Sequence, residues 1–538
     1  MRKKITAVLL TGLSTVLLAS CQFKPEGALQ ASCWDATFNG KALQVAKDIE
    51  GATEYGLDVV VGEKDPIVQS ATAAFGSGDL SALPDIIQVE DYTAPGWLEI
   101  YGDYFYPVQN AGVTADDFAA IKSEYASYNG TLYGLPFDAS PSGCFIKIAD
   151  LVKYGIIVDD TKTTTALDDT ETENKYQAYH TSPAITDNSS VQAPAGIDVT
   201  ADRIDTAAVK TALANDEDKT RPVTLSDLKK GDWTWWDYIN IGIKYSEYCN
   251  DHPNDIAPGT NTKLSDTFWW GLRSGDIGTF RQMLMSGNAW YERKDKSTDK
   301  WVSDLQQEDG TPNPVAVEAL NIYKCMFNLT NRTDYSTESA SYNAFNGVTM
   351  TSCTASWSQP SLMKQTEQKD LWTIVQMPHM TTGSKGNFSS LGGSAFFVID
   401  RGDEDRAQAA AEWLVNSFGD LSSGSNGYKI ANQLINAYDA NDPSSGAGAL
   451  LSVNGAANLP NYSVAQDFYY DDMVFGSVMT EWNEALKDPV AYGPYTYNCE
   501  TAANTDVYNF CVGQTTMSAS ELLEDITNNF NLTVFNAQ

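Results

Sequence analysis

Apolar and polar positions along the chain follow two different periods. Residues 57–62 (LDVVVG) and 85–89 (DIIQV) are short apolar runs, which are typical of buried strands. Residues 68–75 have helical spacing and end at a Gly-Ser-Gly sequence, and residues 405–418 show the 3.6-residue period of an amphipathic helix. Strands that alternate with helices predict an α/β fold with a largely parallel sheet.

Small polar and acidic residues directly follow several of the predicted strands. The clearest case is residues 129–143 (NGTLYGLPFDASPSG), where a strand over 132–137 is followed by a polar turn that two prolines stiffen. In open α/β sheets, ligands bind outside the carboxyl ends of the strands. The residues that we predict to contact a ligand for this reason are Asp35, Glu90, Asp91, Tyr92, Asp138 and Ser140.

Two tryptophan-rich stretches indicate what that ligand could be. They are TFWWGLRSGDIG at 267–278 and TMTSCTASW at 349–357. Flat aromatic rings pack against the C–H faces of sugars, and carboxylates accept hydrogen bonds from sugar hydroxyls, which are costly to bury unpaired. We therefore predict carbohydrate contacts from Trp269, Trp270, Arg273 and Trp357. The alternative is that the tryptophans are core residues and the acids are helix caps or surface groups.

Residues 161–221 differ in composition from the rest of the chain. They are rich in Thr, Asp, Asn and Ala and poor in aromatic residues, which predicts a solvated insertion that contributes little to a ligand site. After the insertion, the sequence TLSDLKKGDWTWWDYI predicts a tryptophan-rich helix start with Ser226 as a candidate N-cap.

The amino terminus has the order of an export signal. Arg2, Lys3 and Lys4 precede a mostly apolar stretch over 5–18, which is shorter than the about 20 residues that span a bilayer. The sequence Leu-Ala-Ser-Cys at 18–21 resembles a bacterial lipobox, in which the cysteine thiol receives a diacylglycerol. We predict a signal peptide over 1–20, a lipid on Cys21, a tether over 21–30 and an outward-facing, membrane-anchored protein. The alternative is an ordinary signal peptide in which Cys21 is incidental.

Charge and motif content narrow the functional classes. A formal net charge of −35 repels phosphate backbones, so we predict no nucleic-acid partner. Eight cysteines without a Cys-x-x-Cys motif and only three histidines give poor support for a zinc site, and we predict no metal and no cofactor. Cys499 and Cys511 are candidates for a disulfide. Motifs of serine hydrolases, P-loop proteins and zinc proteases are absent, but a pair of catalytic carboxylates among 70 acidic residues stays open.

Four stretches, in order, resemble family 1 of the extracellular solute-binding proteins, which are sugar-binding lipoproteins of ABC importers. They are FGSGDLSALPDIIQVED (75–91), NGTLYGLPFDASPSGCFI (129–146), FNGVTMTSCTASW (345–357) and LGGSAFFVI (391–399). The resemblance runs from about residue 31 to about residue 418. It implies a maltose-binding-protein-like, two-lobed, type II periplasmic-binding fold with a hinge and an interlobe cleft.

The resemblance also implies a lobe division and a function. The first lobe would contain 31–137 and 381–435, and the second 138–380 and 436–538. Trp357 would stack on a sugar, Asp91 would bind hydroxyls, and Gly392 and Gly393 would line the cleft. The protein would act as a monomer that captures a sugar or oligosaccharide and delivers it to a membrane permease without covalent chemistry. Alternatives are a lipid-anchored enzyme acting on glycosides, or a binder of a peptide or polyamine.

Overall fold

The computed structural model describes residues 27–537, except 37, 52, 162–191, 216–222, 274–276, 336–344, 384–388, 436–449, 472, 475, 477 and 479–491. The predicted signal peptide, the lipid site at Cys21 and most of the tether therefore lie outside the described residues. Within the described part of the chain, no helix is long and apolar enough to cross a membrane.

The strands alternate with helices as the sequence predicts. The strands are β1 Leu29–Cys33, β2 Leu57–Val61, β3 Ile86–Glu90, β4 Phe105–Tyr106, β5 Ser127–Tyr128, β6 Thr131–Leu132, β7 Gly134–Ala139, β8 Ser142–Ile146, β9 Trp270–Arg273, β10 Glu292–Asp295, β11 Lys300–Ser303, β12 Arg332–Tyr335, β13 Thr351–Ala355, β14 Thr373–Val375, β15 Ser394–Ile399 and β16 Leu450–Leu451. The α-helices are α1 Asn39–Glu50, α2 Lys64–Ser77, α3 Ala94–Tyr101, α4 Ala120–Tyr125, α5 Ile148–Lys153, α6 Thr206–Asn215, α7 Leu225–Lys230, α8 Trp235–Asp251, α9 Gly278–Ser286, α10 Pro314–Leu329, α11 Gln359–Met363, α12 Glu404–Phe418, α13 Asn426–Leu434, α14 Thr496–Cys511 and α15 Ala519–Thr533.

The larger sheet forms the first lobe and has the order β16-β7-β15-β3-β1-β2, with β4 also paired to β15. Strand β1 pairs in parallel with β2 and β3, whereas β15 pairs antiparallel with β3, β4 and β7, and β16 pairs antiparallel with β7. Strands β4 and β7 therefore run in the same direction as β1, β2 and β3, and β15 and β16 run in the opposite direction. The prediction of a largely parallel sheet is therefore correct for strand direction, which five of the seven strands share, but neighbouring strands pair in parallel only within β1, β2 and β3. The reason is that β15 enters the sheet in the opposite direction, on the chain's return from the second lobe.

The strands at the centre of this sheet are apolar because helices cover them. All six residues of β15 (SAFFVI) are buried, and so are four of the five residues of β3 (IIQVE). Helices α1, α12 and α13 contact one another beside the sheet, and α2 contacts β1. The predicted amphipathic helix over 405–418 corresponds to α12, which buries Ala407, Ala410, Ala411 and Leu414 along one stripe.

The second lobe is mostly helical around a three-stranded antiparallel sheet of order β13-β8-β14. Its core contains the aromatic residues of α8 together with α9, α10, α14 and α15. Helix α8 begins at a capping box in which Thr234 and Asp237 satisfy each other's backbone donors, and Thr224 with Asp227 does the same for α7. The candidate cap Ser226 is therefore wrong, because it lies inside α7.

The predicted lobe boundaries need two corrections. Thr381 and Thr382 donate hydrogen bonds to Glu318 of α10, so the chain is still in the second lobe after 380. Strand β16 pairs with β7, so the segment that resumes at 450 belongs to the first sheet and not to the second lobe. Both errors arise because pairing partners far apart in sequence, rather than local pattern, decide where each segment lies.

The predicted insertion is only partly described, and its described part is not a solvated excursion. Helix α6 contacts α8 and α10, and its Val209 and Leu213 are buried. The Nδ2 atom of Asn321 donates to the carbonyl oxygens of Val199 and Ala201, each at 2.9 Å. Residues 192–215 therefore belong to the second lobe, while 162–191 lie outside the described residues.

The predicted disulfide between Cys499 and Cys511 is wrong. Both cysteines are buried and free, and they lie at opposite parts of one helix, α14. Twelve helical steps separate them by about 18 Å, whereas a disulfide needs Cα atoms within about 7 Å.

Candidate ligand-binding cleft

Two chain segments that cross between the lobes pair with each other. The first is residues 140–141, between β7 of the larger sheet and β8 of the smaller one. The second is 389–393, which leads into β15. Ser142 N donates to Ser389 O at 2.8 Å, and Leu391 N donates to Ser140 O at 3.0 Å. The predicted site residue Ser140, which is buried, thus lies on a paired crossing between the two sheets.

The carboxyl ends of β1 and β3 meet at the edge of the larger sheet that faces these crossings. A buried polar network begins there. The backbone N–H of Trp34 donates to Gln88 Oε1 at 3.1 Å, and Gln88 Nε2 donates to Ser394 Oγ at 2.9 Å. The Ser394 hydroxyl in turn donates to Asp138 Oδ1. The structure therefore connects the ends of β1, β3, β7 and β15 through side chains.

Asp91 lies in the same region, and it is a buried residue rather than an exposed loop acid. Its side chain and that of Lys122 are almost completely buried and form an ion pair. The Lys122 ammonium also donates to Ser394 O at 3.5 Å, which joins this pair to the network. In this structure Asp91 is thus a buried partner of Lys122, and its loss would affect folding as well as any ligand.

Burial changes the acidity of both carboxyl groups in this network. It raises the pKa of Asp91 to about 7, although the ammonium of Lys122 opposes the rise. Burial also raises the pKa of Asp138, and Lys122 and the Ser394 hydroxyl oppose that rise. The negative charge of Asp138 further raises the pKa of Asp91. The single ammonium group of Lys122 therefore lowers the pKa of both buried carboxyl groups.

The Gly392-Gly393 pair is required by backbone geometry and by space. The φ angles are +87° and +94°, a region that favours glycine. A Cβ atom on Gly393 would lie 2.5 Å from Asp91 Oδ2 and 2.7 Å from Lys122 Nζ. A Cβ atom on Gly392 would lie 3.5 Å from Trp357 Nε1. The two glycines therefore allow this crossing segment to pass between the ion pair and Trp357.

Tyr92 connects the first lobe to the second. Its hydroxyl accepts a hydrogen bond from Lys64 Nζ at 3.2 Å, and Lys64 also pairs with Glu90 at 3.3 Å. The ring of Tyr92 stacks on Tyr497 with centroids 6.2 Å apart, and the Arg281 guanidinium lies 6.0 Å from its centroid. Burial raises the pKa of Tyr92 far above its usual range. The predicted residues Glu90 and Tyr92 thus form one wall where the lobes touch.

The facing wall comes from α9, a helix that sequence reasoning missed. Arg281 pairs with Glu500 at 2.8 Å, and Gln282 Nε2 donates to Ser142 Oγ at 3.1 Å. Several other polar atoms here are buried without a hydrogen-bond partner among the described residues. These atoms are Arg281 Nε, Gln282 Oε1 and Ser389 Oγ. The signal that could have found this wall is a polar pair inside the otherwise apolar sequence FRQMLM.

Trp357 lies just beyond the end of β13, beside the glycine pair. Its indole nitrogen donates to Leu391 O at 2.9 Å, and the side chain is half-buried. Asp35, which follows β1, is exposed and has a φ angle of +63°. The structure therefore brings both residues to the ends of strands that border the crossings, and their contact with a ligand stays a prediction.

Trp269 and Trp270 are corrections, because both are core residues of the second lobe. Their side chains are 0% and 3% exposed. Trp269 packs against Tyr238, and Trp270 Nε1 donates to Thr330 Oγ1 at 2.9 Å. Strand β9 begins at Trp270 and pairs in parallel with β12, and the backbone N–H of Trp269 donates to Asn331 O at 3.0 Å, so both residues are held within the lobe. The backbone of Arg273 ends β9, and its side chain lies outside the described part of the structure.

Within the described residues, no group of three or more His, Cys, Asp or Glu side chains is arranged to hold a metal ion. The arrangement offers aromatic faces, charged groups and buried polar atoms that lack a hydrogen-bond partner within the described part of the chain, all between two lobes. Such a surface can bind a polar ligand through hydrogen bonds and stacking.

Comparison with solved structures identifies the fold. The chain has the fold of the two-lobed binding proteins of ABC transporters. It is similar to a binding protein from B. animalis subsp. lactis Bl-04, solved with β-1,6-galactobiose, at a TM-score of 0.58 and 14% identity over 94% of this chain and 97% of that one. It is also similar to the galacto-N-biose-/lacto-N-biose I-binding protein from Bifidobacterium longum, solved with lacto-N-biose. That match has a TM-score of 0.56 and 13% identity over 95% of this chain and 98% of the other.

Sequence comparison gives a more limited likeness. The chain is 26% identical to the lactose-binding protein of Rhizobium radiobacter over 136 residues, and these residues are 25% of this chain. The match spans 32% of that relative's length. No family model matches the chain.

Proposed function

We propose that this protein is the substrate-binding component of a carbohydrate ABC importer. The observation that carries the proposal is a set of buried polar atoms on Arg281, Gln282 and Ser389 that have no hydrogen-bond partner among the described residues. A buried polar atom without a partner costs about 1–3 kcal/mol, so a site that keeps several of them gains when a ligand supplies the missing hydrogen bonds. A polyhydroxylated ligand can supply many at once.

The aromatic residues beside these atoms favour a sugar over a peptide or a polyamine. Tyr92 and Trp357 are both only partly buried and offer faces to the apolar side of a pyranose ring. Lys64 and Arg281 place one cation on each of the two walls, 5.8 and 6.0 Å from the centroid of the Tyr92 ring, which disfavours a polycationic ligand. The fold relatives solved with β-1,6-galactobiose and lacto-N-biose make galactose-containing disaccharides the first ligands to test.

Transport would follow from closure of the lobes around the paired crossings. Contacts such as the Tyr92–Tyr497 stack span the two lobes, and a hinge motion would make and break them. A lipid on Cys21 would keep the protein at the outer face of the membrane, next to its permease. No bond of the sugar is broken in this function, in contrast to an enzyme acting on glycosides.

The direct test is titration calorimetry with a panel of disaccharides, followed by mass analysis of the recovered sugar. We expect saturable binding of at least one galactose-containing disaccharide and recovery of that sugar unchanged. Recovery of a hydrolysed or rearranged product would support the enzyme instead. Binding of spermidine or peptides, with no sugar bound, would replace the proposed ligand class.

A matched pair of tryptophan variants locates the site. Trp357→Ala should weaken sugar binding by about tenfold or more, since a stacked aromatic face contributes about 0.5–1.5 kcal/mol beyond its buried area. Trp269→Ala should instead lower the free energy of unfolding by about 3–5 kcal/mol, because the residue is a core side chain. Melting curves and calorimetry on both variants separate the two effects. Normal sugar affinity in a folded Trp357→Ala protein would remove Trp357 from the site.

The lipid anchor has its own test, which is independent of the sugar. Cys21→Ala should release the protein from membranes or leave it unprocessed, as shown by fractionation and by the mass of the amino-terminal peptide. Unchanged processing and membrane retention would contradict lipid attachment at this cysteine.

A further inference from the structure

We infer that Cys144 and Cys353 form a cross-strand disulfide when the folded protein meets a disulfide oxidant. The two residues are direct partners in the register of β8 and β13, in the small sheet of the second lobe. This inference does not depend on the proposed function, because it concerns the two thiols and their sheet alone.

The hydrogen bonds at both ends of the ladder fix the type of pair. Lys147 N donates to Met350 O at 2.8 Å, and Ser356 N donates to Pro141 O at 3.3 Å. Hydrogen-bonded and non-hydrogen-bonded pairs alternate in an antiparallel ladder. Counting inward from either end makes Cys144 and Cys353 a non-hydrogen-bonded pair.

That type of pair brings the two thiols close together. Non-hydrogen-bonded partners have Cα atoms about 4.5 Å apart, with both side chains on the same face of the sheet. A disulfide accepts Cα separations of about 4.4–6.8 Å. The side chain of Tyr238, whose hydroxyl bonds to Thr351 Oγ1 at 2.6 Å, lies beside both thiols on this face. The bond can therefore form without a change of register.

The two cysteines also differ in access, which gives the reaction an order. Cys144 is fully buried, and burial raises the pKa of its thiol well above the usual value. Cys353 is half-exposed, whereas the other cysteines that the structure describes are buried. An oxidant from solvent therefore meets Cys353 first.

The chemistry is thiol–disulfide exchange in two steps. The Cys353 thiolate attacks one sulfur of an external disulfide, which forms a mixed disulfide and releases one thiol. The Cys144 sulfur, after losing its proton, then attacks Cys353 and releases the second thiol. The two protein thiols lose two electrons and two protons in total, and the external disulfide is reduced to two thiols.

The test uses the purified, fully reduced mature chain without ligand, treated with oxidised glutathione at mildly alkaline pH. Free thiols are then alkylated under denaturing conditions, and the peptides are mapped without reduction. We expect an intact mass lower by two hydrogen atoms and one cross-linked peptide pair containing Cys144 and Cys353. The melting temperature should rise by several degrees and return to its starting value after reduction, because the bond closes a long loop.

Three variants make the result specific. Cys353→Ala should abolish both the cross-link and the rise in melting temperature. Cys144→Ala should stop the reaction at a glutathione adduct on Cys353. Cys249→Ala, which removes another buried thiol, should behave like the unmodified protein.

Two outcomes would overturn the inference. One is a cross-link between other cysteines, such as Cys325 and Cys511, which also interact with each other. The other is a Cys353 thiol that stays free after prolonged oxidation of the folded protein. If Cys144→Ala does not fold, the Cys353→Ala variant and the peptide map still decide the question, since Cys353 is only half-buried.

Discussion

The two ends of strand β3 each hold a buried aspartate, and their environments differ. Asp85 precedes the strand and is 3% exposed, while Asp91 follows it and is 1% exposed. Asp85 accepts hydrogen bonds from Arg406 Nε and Nη2 at 2.6 and 2.8 Å, from Arg401, and from Gln30 N at 2.8 Å. Asp91 has the single ammonium of Lys122 and a second carboxyl group, Asp138, as a neighbour.

This difference separates a structural end of the sheet from the end where we predict a ligand site. At Asp85, two guanidinium groups and a backbone N–H meet every lone pair that a carboxylate offers. At Asp91, one cation serves two carboxyl groups, so a buried negative charge stays only partly compensated. Under-compensated charge of this kind is common where a protein binds a ligand and rare where it only holds a fold together.

The largest expected effect is at the structural end. Asp85→Ala should lower the free energy of unfolding by about 3 kcal/mol, because it leaves two arginines without their shared partner. Sugar affinity of the folded fraction should not change. Chemical denaturation and calorimetry measure the two quantities, with the exposed helix residue Glu412→Ala as the control. A loss of affinity without a loss of stability would reverse the roles that we assign to the two ends.

The next effect is at the other end of the strand. Lys122→Met should lower the free energy of unfolding by about 1–3 kcal/mol at pH 8, because it leaves Asp91 and Asp138 buried without their cation. The cost should shrink at pH 6, since Asp91 then takes up a proton. Denaturation at both pH values checks this, and a Lys122→Met/Asp91→Asn double variant should recover part of the loss. An equal cost at both pH values would show that Lys122 acts through packing rather than charge.

A smaller effect is the pH dependence of the unmodified protein. The pKa of Asp91 rises from about 3.8 to about 7 on folding. The folded state therefore binds the proton more tightly than the unfolded state. The stabilisation that Asp91 adds to the folded state is complete below about pH 4 and is lost as pH rises through 7. The slope cannot exceed about 1.4 kcal/mol per pH unit for one group.

The measurement is the free energy of unfolding at a series of pH values from 4 to 9. Asp91→Asn should flatten the curve in this window. Burial raises the pKa of Glu292 to about 8, so this residue also makes the free energy of unfolding fall with rising pH, at somewhat higher pH than Asp91. Glu292→Gln is therefore the control that separates the two, and an unchanged curve in Asp91→Asn would contradict the assignment.

The smallest expected effect is at Asp35, the exposed acid after β1. Asp35→Asn should change the free energy of unfolding by no more than about 0.5 kcal/mol, since asparagine tolerates the φ angle of +63°. Asp35→Val should cost about 1 kcal/mol or more, because a β-branched residue is strained there. Denaturation curves of the two variants make the comparison. Equal stability would mean that the loop relaxes freely.

Local pattern predicted elements better than it predicted their contacts. Strand β2, strand β3 and helix α12 lie within a residue or two of the predicted runs. The reason is that a buried strand or an amphipathic helix depends on the periodicity of residues that are close in sequence. The same information could not distinguish Trp269 from Trp357. Both lie beside small polar residues in the sequence, and only the burial of the Trp269 ring against Tyr238 shows that it is enclosed.

The predicted site shows the same division. Asp91, Tyr92 and Asp138 could be chosen because strand ends in an open α/β sheet converge, and the glycine pair because of the family resemblance. Their partners Lys122 and Arg281 could not, since they lie on helices at large sequence separations from them. The prediction that residues 192–215 are solvated failed for a related reason. Their overall composition is polar, but the side chains of Val209 and Leu213 are buried in the second lobe.

The sequence by itself determined several of the strands and helices, and the strand-end positions where a polar site could lie. Those features depend on side-chain periodicity and turn chemistry, which act over a few residues. The tertiary structure decided which tryptophans are core, which aspartate is fully paired and which cysteines can react. Those properties depend on burial and on the partners that distant segments bring, because desolvation and charge pairing act through space rather than along the chain.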